Sequence, residues 1–288
     1  MTFSIVAYDP EKKEWGVAVQ SKFIAVGSIV PWGKANVGVV ATQAWVNTSY
    51  GPKGLALLEQ GLTAEEVIRI LTDQDDRKEH RQVGIVDSYG NAASFTGSKC
   101  FDWAGSIVGE HYACQGNILV SQTTVLAMSQ AFRETKGDLV DKLIAALEAG
   151  QEAGGDSRGK QSAAVMVFKE EGAYDGGMDK LVDVRVDDHE HPIKELRRVF
   201  ELFDLSLLKR DDPEDKVKLA GNVLKTVKTV LKKDGFYKGS IDTKLDDVTK
   251  KALQEWMHTN NFEVKEREDD YMWGAVYRFI EKKKEEAK

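Results

Sequence analysis

MTFSIVAYDP (1–10) and the residues that follow it, EKKEWGVAVQSK (11–22), decide the architecture. Residues 3–8 (FSIVAY) and 15–20 (WGVAVQ) are two β-rich runs joined by the polar linker DPEKKE, the pattern of a hairpin. Most chains open with a few loosely held polar residues. Here a threonine stands directly behind the first methionine and already leads into an apolar strand. Either that strand simply begins early, or the head of the chain has a task of its own.

Outward from this hairpin, VGVVATQAW (37–45) reads as a third strand and YGPKG as punctuation. LALLEQG and TAEEVIRILTDQD read as two short helices, the second opened by Thr63 and Glu66 at capping-box spacing. RQVGIVDSYGNAASFTGS is a second hairpin turning at YGN, and HYACQGNILV a further strand. Helical periodicity returns from Thr123 to Gln151 with a break at Lys136–Gly137. After the loop GGDSRGKQS come the strands AAVMVFK and LVDVRV, then a helix from Pro192, where proline is tolerated in the first turn. This order predicts an α+β sandwich of mainly antiparallel sheets with helices outside. No parallel βαβ series or GxGxxG appears, which disfavours a dinucleotide fold. The charged segment LKRDDPEDK (208–216) marks a boundary, giving domains at 1–207 and 213–288, the second a small all-α module.

A net charge of −7 removes the basic excess that a nucleic-acid binder needs. No run approaches the roughly 18 apolar residues of a membrane span. Cys100 and Cys114 form no CxxC; a single disulfide is open to them, and two reduced thiols fit better. With no signal-peptide pattern at the head of the chain, a cytoplasmic location is expected.

Removal of Met1 would give Thr2 a free α-amine beside its own hydroxyl. Methionine aminopeptidases accept small second residues, and threonine is small enough. An α-amine titrates at about 7.7–8.0 in model compounds, close to what a neutral-pH general base requires. A threonine hydroxyl activated by its own terminal amine is one established form of nucleophile. The plain alternative is a β-branched residue suited to the start of a strand.

MTFSIVAYDP, WGVAVQSKFIAVGSIVPWGKANVGVVATQAWVNTSYGPKGLALL, RQVGIVDSYGNAASFTGSKC, AGSIVGEHYACQGNIL, AALEAGQEAGGDSRGKQSAAVMV and LVDVRVDDHEHPIKELRRVFEL resemble the family called domain of unknown function 1028. These blocks cover about residues 1–205. The family is grouped with the N-terminal nucleophile (Ntn) hydrolases, which implies an αββα four-layer sandwich. A looser similarity to proteasome β-subunits aligns VAVQSKFIAVG with a segment of type VAVDSRATAG. It implies that Ser21 and Lys22 lie near the nucleophile, with Gln20 where that family has an acidic residue. Lys22 or Lys34 would then supply a cation, Lys22 being favoured. GGDSRGKQS resembles the SGG-containing loop that closes proteasome sites, which implies that Asp156 helps hold the terminal amine.

Other candidates come from residue type and position. Gln43 ends a strand and Asn47 follows in the loop, where amides grip a polar substrate or satisfy the turn backbone. Gln115 and Asn117 flank Gly116, and Asn117 is the first choice for an oxyanion donor. Arg158 is suited to a substrate carboxylate, or to an ordinary salt bridge. In DDHEH (187–191), His189, His191 and Asp187 alternate as metal ligands can. The adjoining Pro192 makes the segment a strand-to-helix corner instead, so no metal or cofactor is expected and His189 is assigned to shaping the site. Trp15, Trp32, Trp45 and Trp103 read as core or pocket wall.

LKTVKTVLKKDGFYKGSIDTKLDDVTKKALQEWMHTNNF resembles the peptidoglycan-binding helical domain, with Phe236, Tyr237 and Ile241 expected to pack between Gly235 and Gly239. Together these readings point to an amidohydrolase acting on a small amide or short peptide. A rival from another class is a non-catalytic binding protein whose helical module recognises a cell-wall fragment or a protein partner. A homo-oligomer is expected in either case.

Overall fold

A computed structural model describes residues 2–285. The chain divides into two compact units, Met1–Val199 and Phe200–Lys288. The first begins with β1 (Thr2–Asp9), β2 (Glu14–Ser21), β3 (Pro31–Lys34) and β4 (Gly38–Ala44), then α1 (Tyr50–Glu59) and α2 (Ala64–Asp73). Next come β5 (Arg81–Asp87), β6 (Ala92–Thr96), β7 (Gly105–Gly109) and β8 (Tyr112–Asn117). It continues with α3 (Thr123–Glu134), α4 (Leu139–Glu152), β9 (Ser162–Phe168) and β10 (Lys180–Val186). α5 (Pro192–Leu207) passes the division between the units.

All strands of this unit are antiparallel, in a six-stranded sheet ordered β10-β9-β2-β1-β8-β7 and a four-stranded sheet ordered β3-β4-β5-β6. α4 lies over β1 and β2. Contact is close because Gly16 presents no side chain: a Cβ there would fall 2.4 Å from a Leu143 methyl. On the other sheet, Tyr50, Leu58, Val67 and Leu71 of α1 and α2 pack against Val40, Val83 and Ile85. The mixed α+β expectation holds. Three features of this unit went unread in the sequence: β3, β7 as a strand separate from β8, and the start of α1 within YGPKG, where Gly51 lets Trp32 sit where a Cβ would be.

Between the facing sheets the interior changes character along the strands. Val6, Val17, Val19, Val39, Val86 and Met166 fill it at one end. Toward the start of β1, that filling gives way to Thr2, Ser4, Ser21, Gln43, Gln82, Gln115 and Asn117, all buried. Apolar burial holds the first end together and directed hydrogen bonds hold the second.

A loop anchored by Asp75 borders the polar end. Its carboxylate accepts from Asn47 Nδ2 (3.0 Å), the Tyr50 hydroxyl (3.0 Å), Arg81 Nε (2.9 Å) and the Arg77 amide (2.8 Å). Burial works to raise its pKa, but the bonds from Arg81, Asn47, Arg77 and Tyr50 outweigh burial and hold the carboxyl well below the usual range. The Arg81 guanidinium also donates to the carbonyl of Trp45, tying the end of β4 to the start of β5.

The second unit contains β11 (Lys216–Lys218), α6 (Gly221–Lys233), α7 (Asp247–Thr259), β12 (Tyr271–Trp273) and α8 (Gly274–Glu285). The module expected to be all-α therefore also carries a short antiparallel sheet of β11 and β12, strands of three residues that show no period in the sequence. Its core gathers Leu224, Val227, Leu231, Trp256, Phe262, Val276 and Ile280. Gly235 closes α6 at φ +88°, and the amides of Phe236 and Tyr237 return to the Leu231 carbonyl (2.8 and 3.1 Å), a glycine-terminated helix end. Tyr237 is buried and Phe236 packs on the core. Ile241 departs from expectation: it is exposed, because Ser240 and Lys244 bond to Asp242 and turn the segment outward.

Asp75→Ala should lower stability by about 2–4 kcal/mol, since it leaves Arg81 half-buried and unpaired; urea unfolding of the full chain checks this. Because the Asp75 carboxyl is depressed in the folded state, its contribution is complete above the unfolded carboxylate range. It is lost as pH falls below about 4, and the variant should lack that part of the acid dependence.

Candidate functional site

Thr2 is the first residue of β1 and lies in the middle of the six-stranded sheet, paired with Ser21 of β2 and Asn117 of β8. Its side chain faces the second sheet, as does that of Ser4. The Thr2 hydroxyl is 3.1 Å from that of Ser21. Thr2 itself is 6% exposed, so its hydroxyl is held rather than solvated.

Beneath it a chain of neutral side chains joins the sheets. Gln115 Nε2 donates to Ser4 Oγ (2.7 Å), which donates to Gln43 Oε1 (2.6 Å). Gln43 Nε2 donates to Gln82 Oε1 (2.8 Å) and to the Thr2 carbonyl (3.3 Å). Asn117 Nδ2 donates to the same Gln82 oxygen (2.9 Å), and Gln82 Nε2 donates to the Gly116 carbonyl (2.7 Å) and to Thr96 (2.9 Å). Every side chain named in this chain is an amide or a hydroxyl. Among the described residues, this network holds Thr2 through neutral groups.

Of the residues expected at a site, the structure brings Thr2, Gln43, Gln115 and Asn117 into this one network. Asn47 lies outside it, bonded to Asp75 and to Ser49. Lys22 follows Ser21, yet its side chain is exposed while its amide donates to Asp156 Oδ2 (2.9 Å). Lys34 pairs with Glu59 at the far end of β3, roughly 17 Å of strand away from Gln43. Asp156 is buried; its carboxylate also takes the Arg158 amide (2.9 Å) and ion-pairs with the half-exposed Arg158 guanidinium (3.3 Å). These bonds fasten the loop 154–161 to the end of β2. His189 is exposed and its Nδ1 accepts from the His191 amide (2.9 Å), the capping geometry of a corner. Its own amide donates to the Gln161 carbonyl (2.8 Å), and the Gln161 amide to the Ser21 carbonyl (3.1 Å), so the corner borders the site through backbone.

Ser4, Gln82 and Thr96 are the network members that sequence reasoning missed. Ser4 was open to inspection, two residues after Thr2 and on the same strand face. Gln82 is placed by the pairing of β4 with β5, across two helices, and no local pattern reveals it.

Left-handed backbone occurs at both ends of this unit: Lys13, Asn36, His111 and Glu171 adopt it in turns at the far end, and three residues do so near Thr2. Ala25, Ala44 and Ile118 have φ of 49°, 68° and 50°, a left-handed conformation unfavourable for alanine and rarer for a β-branched residue. Each lies just beyond the end of β2, at the end of β4 or just beyond the end of β8. Such strain persists where the surroundings over-determine it.

Both cysteines are free thiols: Cys114 is fully buried, which pushes its thiol strongly up, and Cys100 donates to the Arg81 carbonyl (3.3 Å). Among the described residues no group of three or more His, Cys, Asp or Glu side chains is placed to hold a metal, and no helix is long and apolar enough to cross a membrane. In the second unit, a groove of about 520 Å³ is lined by Lys250, Gln254, Met257, Arg267, Tyr271 and Trp273, with the Arg267 guanidinium 4.2 Å from the Trp273 ring centre.

Residues 2–196 match the sequence pattern described as "Family of unknown function (DUF1028)", and residues 206–280 match the "Putative peptidoglycan binding domain". No curated protein matches the chain. A crystal structure of a DUF1028 protein from Silicibacter pomeroyi is 33% identical, covers 70% of this chain and 86% of its own, and superposes with a TM-score of 0.65. An ancestral β-subunit (Anbu) from Yersinia bercovieri is 11% identical over 69% of this chain and 93% of its own, and its TM-score of 0.31 is too low to bear on the fold. With two thirds of its length in that family pattern, the chain belongs to the DUF1028 family and carries a peptidoglycan-binding domain behind it.

Proposed function

We propose that this protein is an Ntn-type amidohydrolase, its first unit an αββα sandwich of that class, with Thr2 as nucleophile once Met1 is removed. Met1 lies outside the described residues. The observation that carries the reading is the Thr2–Ser21 hydroxyl contact at the polar end of the inter-sheet interior. A strand residue placed there for packing alone would face the apolar filling found at the other end.

In this reaction the α-amine of Thr2 takes the hydroxyl proton as Oγ1 attacks the amide carbonyl. The tetrahedral oxyanion collapses to an ester on Oγ1, and the leaving amine departs with the proton held by the α-ammonium. Water, deprotonated by the same amine, then releases the acid and restores Thr2. Ser21 is a positioning residue that fixes the Oγ1 rotamer. Asn117 Nδ2 has a second N–H besides the one on Gln82 and serves as the oxyanion donor. Asp156 and Arg158 keep the loop 154–161 closed against the end of β2, and the substrate is a small amide or short peptide. No cofactor takes part, and the cytoplasm is the proposed location.

A second reading is favoured by the domain matched at 206–280. There the groove of the second unit binds a cell-wall fragment, and the first unit either processes that fragment or is a non-catalytic binding scaffold. Aromatic and guanidinium faces side by side, as in Trp273 and Arg267, suit the apolar face and carboxylate of a peptide-bearing sugar.

Thr2→Ala should abolish amide hydrolysis and Thr2→Ser should retain part of it, measured on a panel of small amides. The wild-type rate should fall as pH drops through the α-amine range of about 7.7–8.0, because protonation removes the base. Ser21→Ala should lower kcat by about tenfold to a hundredfold with KM little changed, as misorientation of a nucleophile does. Trp273→Ala should weaken binding of a soluble muropeptide by about tenfold in calorimetry, while amide hydrolysis at Thr2 is unaffected.

A further inference from the structure

Large apolar side chains stand exposed around the Thr2 end of the first unit. Phe23 and Ile24 follow β2, Trp45 follows β4, Phe101 lies between β6 and β7, and Val120 follows β8, each half or more exposed. Water-facing side chains of this size on several converging loops mark a surface that meets something apolar. Other exposed apolar residues of the unit do not converge; Tyr89, Tyr174 and Met178, for example, sit in turns at the opposite end.

Their spacing from Thr2 is short. Phe23 is two residues beyond Ser21, which pairs with Thr2, and Val120 is three beyond Asn117, its partner on the other side. Trp45 is two beyond Gln43, which bonds to the Thr2 carbonyl. The Phe101 carbonyl accepts from the Ile118 amide (2.9 Å), next to Asn117. Two or three residues of chain reach about 7–10 Å, so all three flanks of the threonine carry an apolar group.

The strained residues hold this collar in place. Ala25 follows Ile24, Ala44 precedes Trp45, and Ile118 is the residue bonded to Phe101. The side chains bonded in the Thr2 network are amides and hydroxyls, while charged groups stand at the rim: Lys22 beside Phe23, Asp102 beside Phe101, and the buried Asp156 paired with Arg158.

We infer that the collar is the specificity pocket of the Thr2 site and takes an amide whose acyl side chain is aromatic or branched aliphatic in preference to acidic and basic ones. This rests on the Thr2 reading. A second copy of the chain seated on the same loops would cover the approach to Thr2, so the geometry favours a substrate group there.

The test uses the full chain with the p-nitroanilides of phenylalanine, leucine, glutamate and lysine. The expected result is a kcat/KM for phenylalanine and leucine at least about tenfold above that for glutamate and lysine, with Trp45→Ala and Phe101→Ala each lowering that ratio about tenfold. Both side chains are exposed, and circular dichroism verifies that the variants fold. Hydrolysis without preference, or a ratio unmoved by the substitutions, overturns the collar and leaves Thr2 standing. If no anilide is cleaved, the Thr2 reading fails by itself. Equilibrium binding of the phenylalanine and glutamate anilides then decides, with preference for phenylalanine that Trp45→Ala removes supporting the collar, and its absence overturning it. A dimer in light scattering that dissociates on Trp45→Ala also overturns it, because the occupant is then a second copy.

Discussion

Gln82 Oε1 accepts one hydrogen bond from Gln43 on its own sheet and another from Asn117 on the facing sheet. That shared oxygen, with the Ser4–Gln43 and Gln82–Gly116 bonds, fastens the two sheets at the end that carries Thr2. Without it, Asn117 Nδ2 and Gln43 Nε2 would each lose an acceptor, and an unsatisfied buried polar group costs about 1–3 kcal/mol. More follows from it than stability. Gln43, so held, supports the Thr2 carbonyl, and Asn117, so held, keeps its position beside Thr2 across the strand pair. A network of neutral groups can be buried without the desolvation cost of ions. Among the described residues, the partners of the threonine in this network are neutral, and in the proposed reaction the terminal amine is the proton acceptor.

Much of the fold was legible. The alternation in FSIVAY and WGVAVQ gave the first hairpin, the break at Lys136–Gly137 separated α3 from α4, and the Thr63–Glu66 capping box is formed as spaced. Short or ambiguous segments were not. PWGK is too short to show a period, and Pro52 inside the first turn of α1 reads as a breaker unless the helix is already known to start at Tyr50.

The site was legible where local register reaches it. A hairpin that pairs Asp9 with Glu14 must pair Thr2 with Ser21, and the latter was also placed by resemblance. Gln82 was not legible because its position depends on a pairing across two helices. Lys22 shows the limit of alignment: the residue lies where expected along the chain, but a strand end alternates faces, and its amine points to solvent while Ser21 faces Thr2. Trp45 likewise was taken as core or pocket wall by residue type, and its exposure became meaningful once the ends of β2, β4 and β8 were seen to converge.

The central claim is that Thr2 Oγ1, beside its own free amine, is the reactive atom of this protein. A β-lactone, which acylates activated hydroxyls by ring opening, tests it most directly when followed by peptide mass mapping of the adduct. The account predicts a single acyl group on the peptide that begins at Thr2, with no labelling of the Thr2→Ala protein. An adduct on another residue, or labelling that proceeds with the initiator methionine still attached, would contradict it.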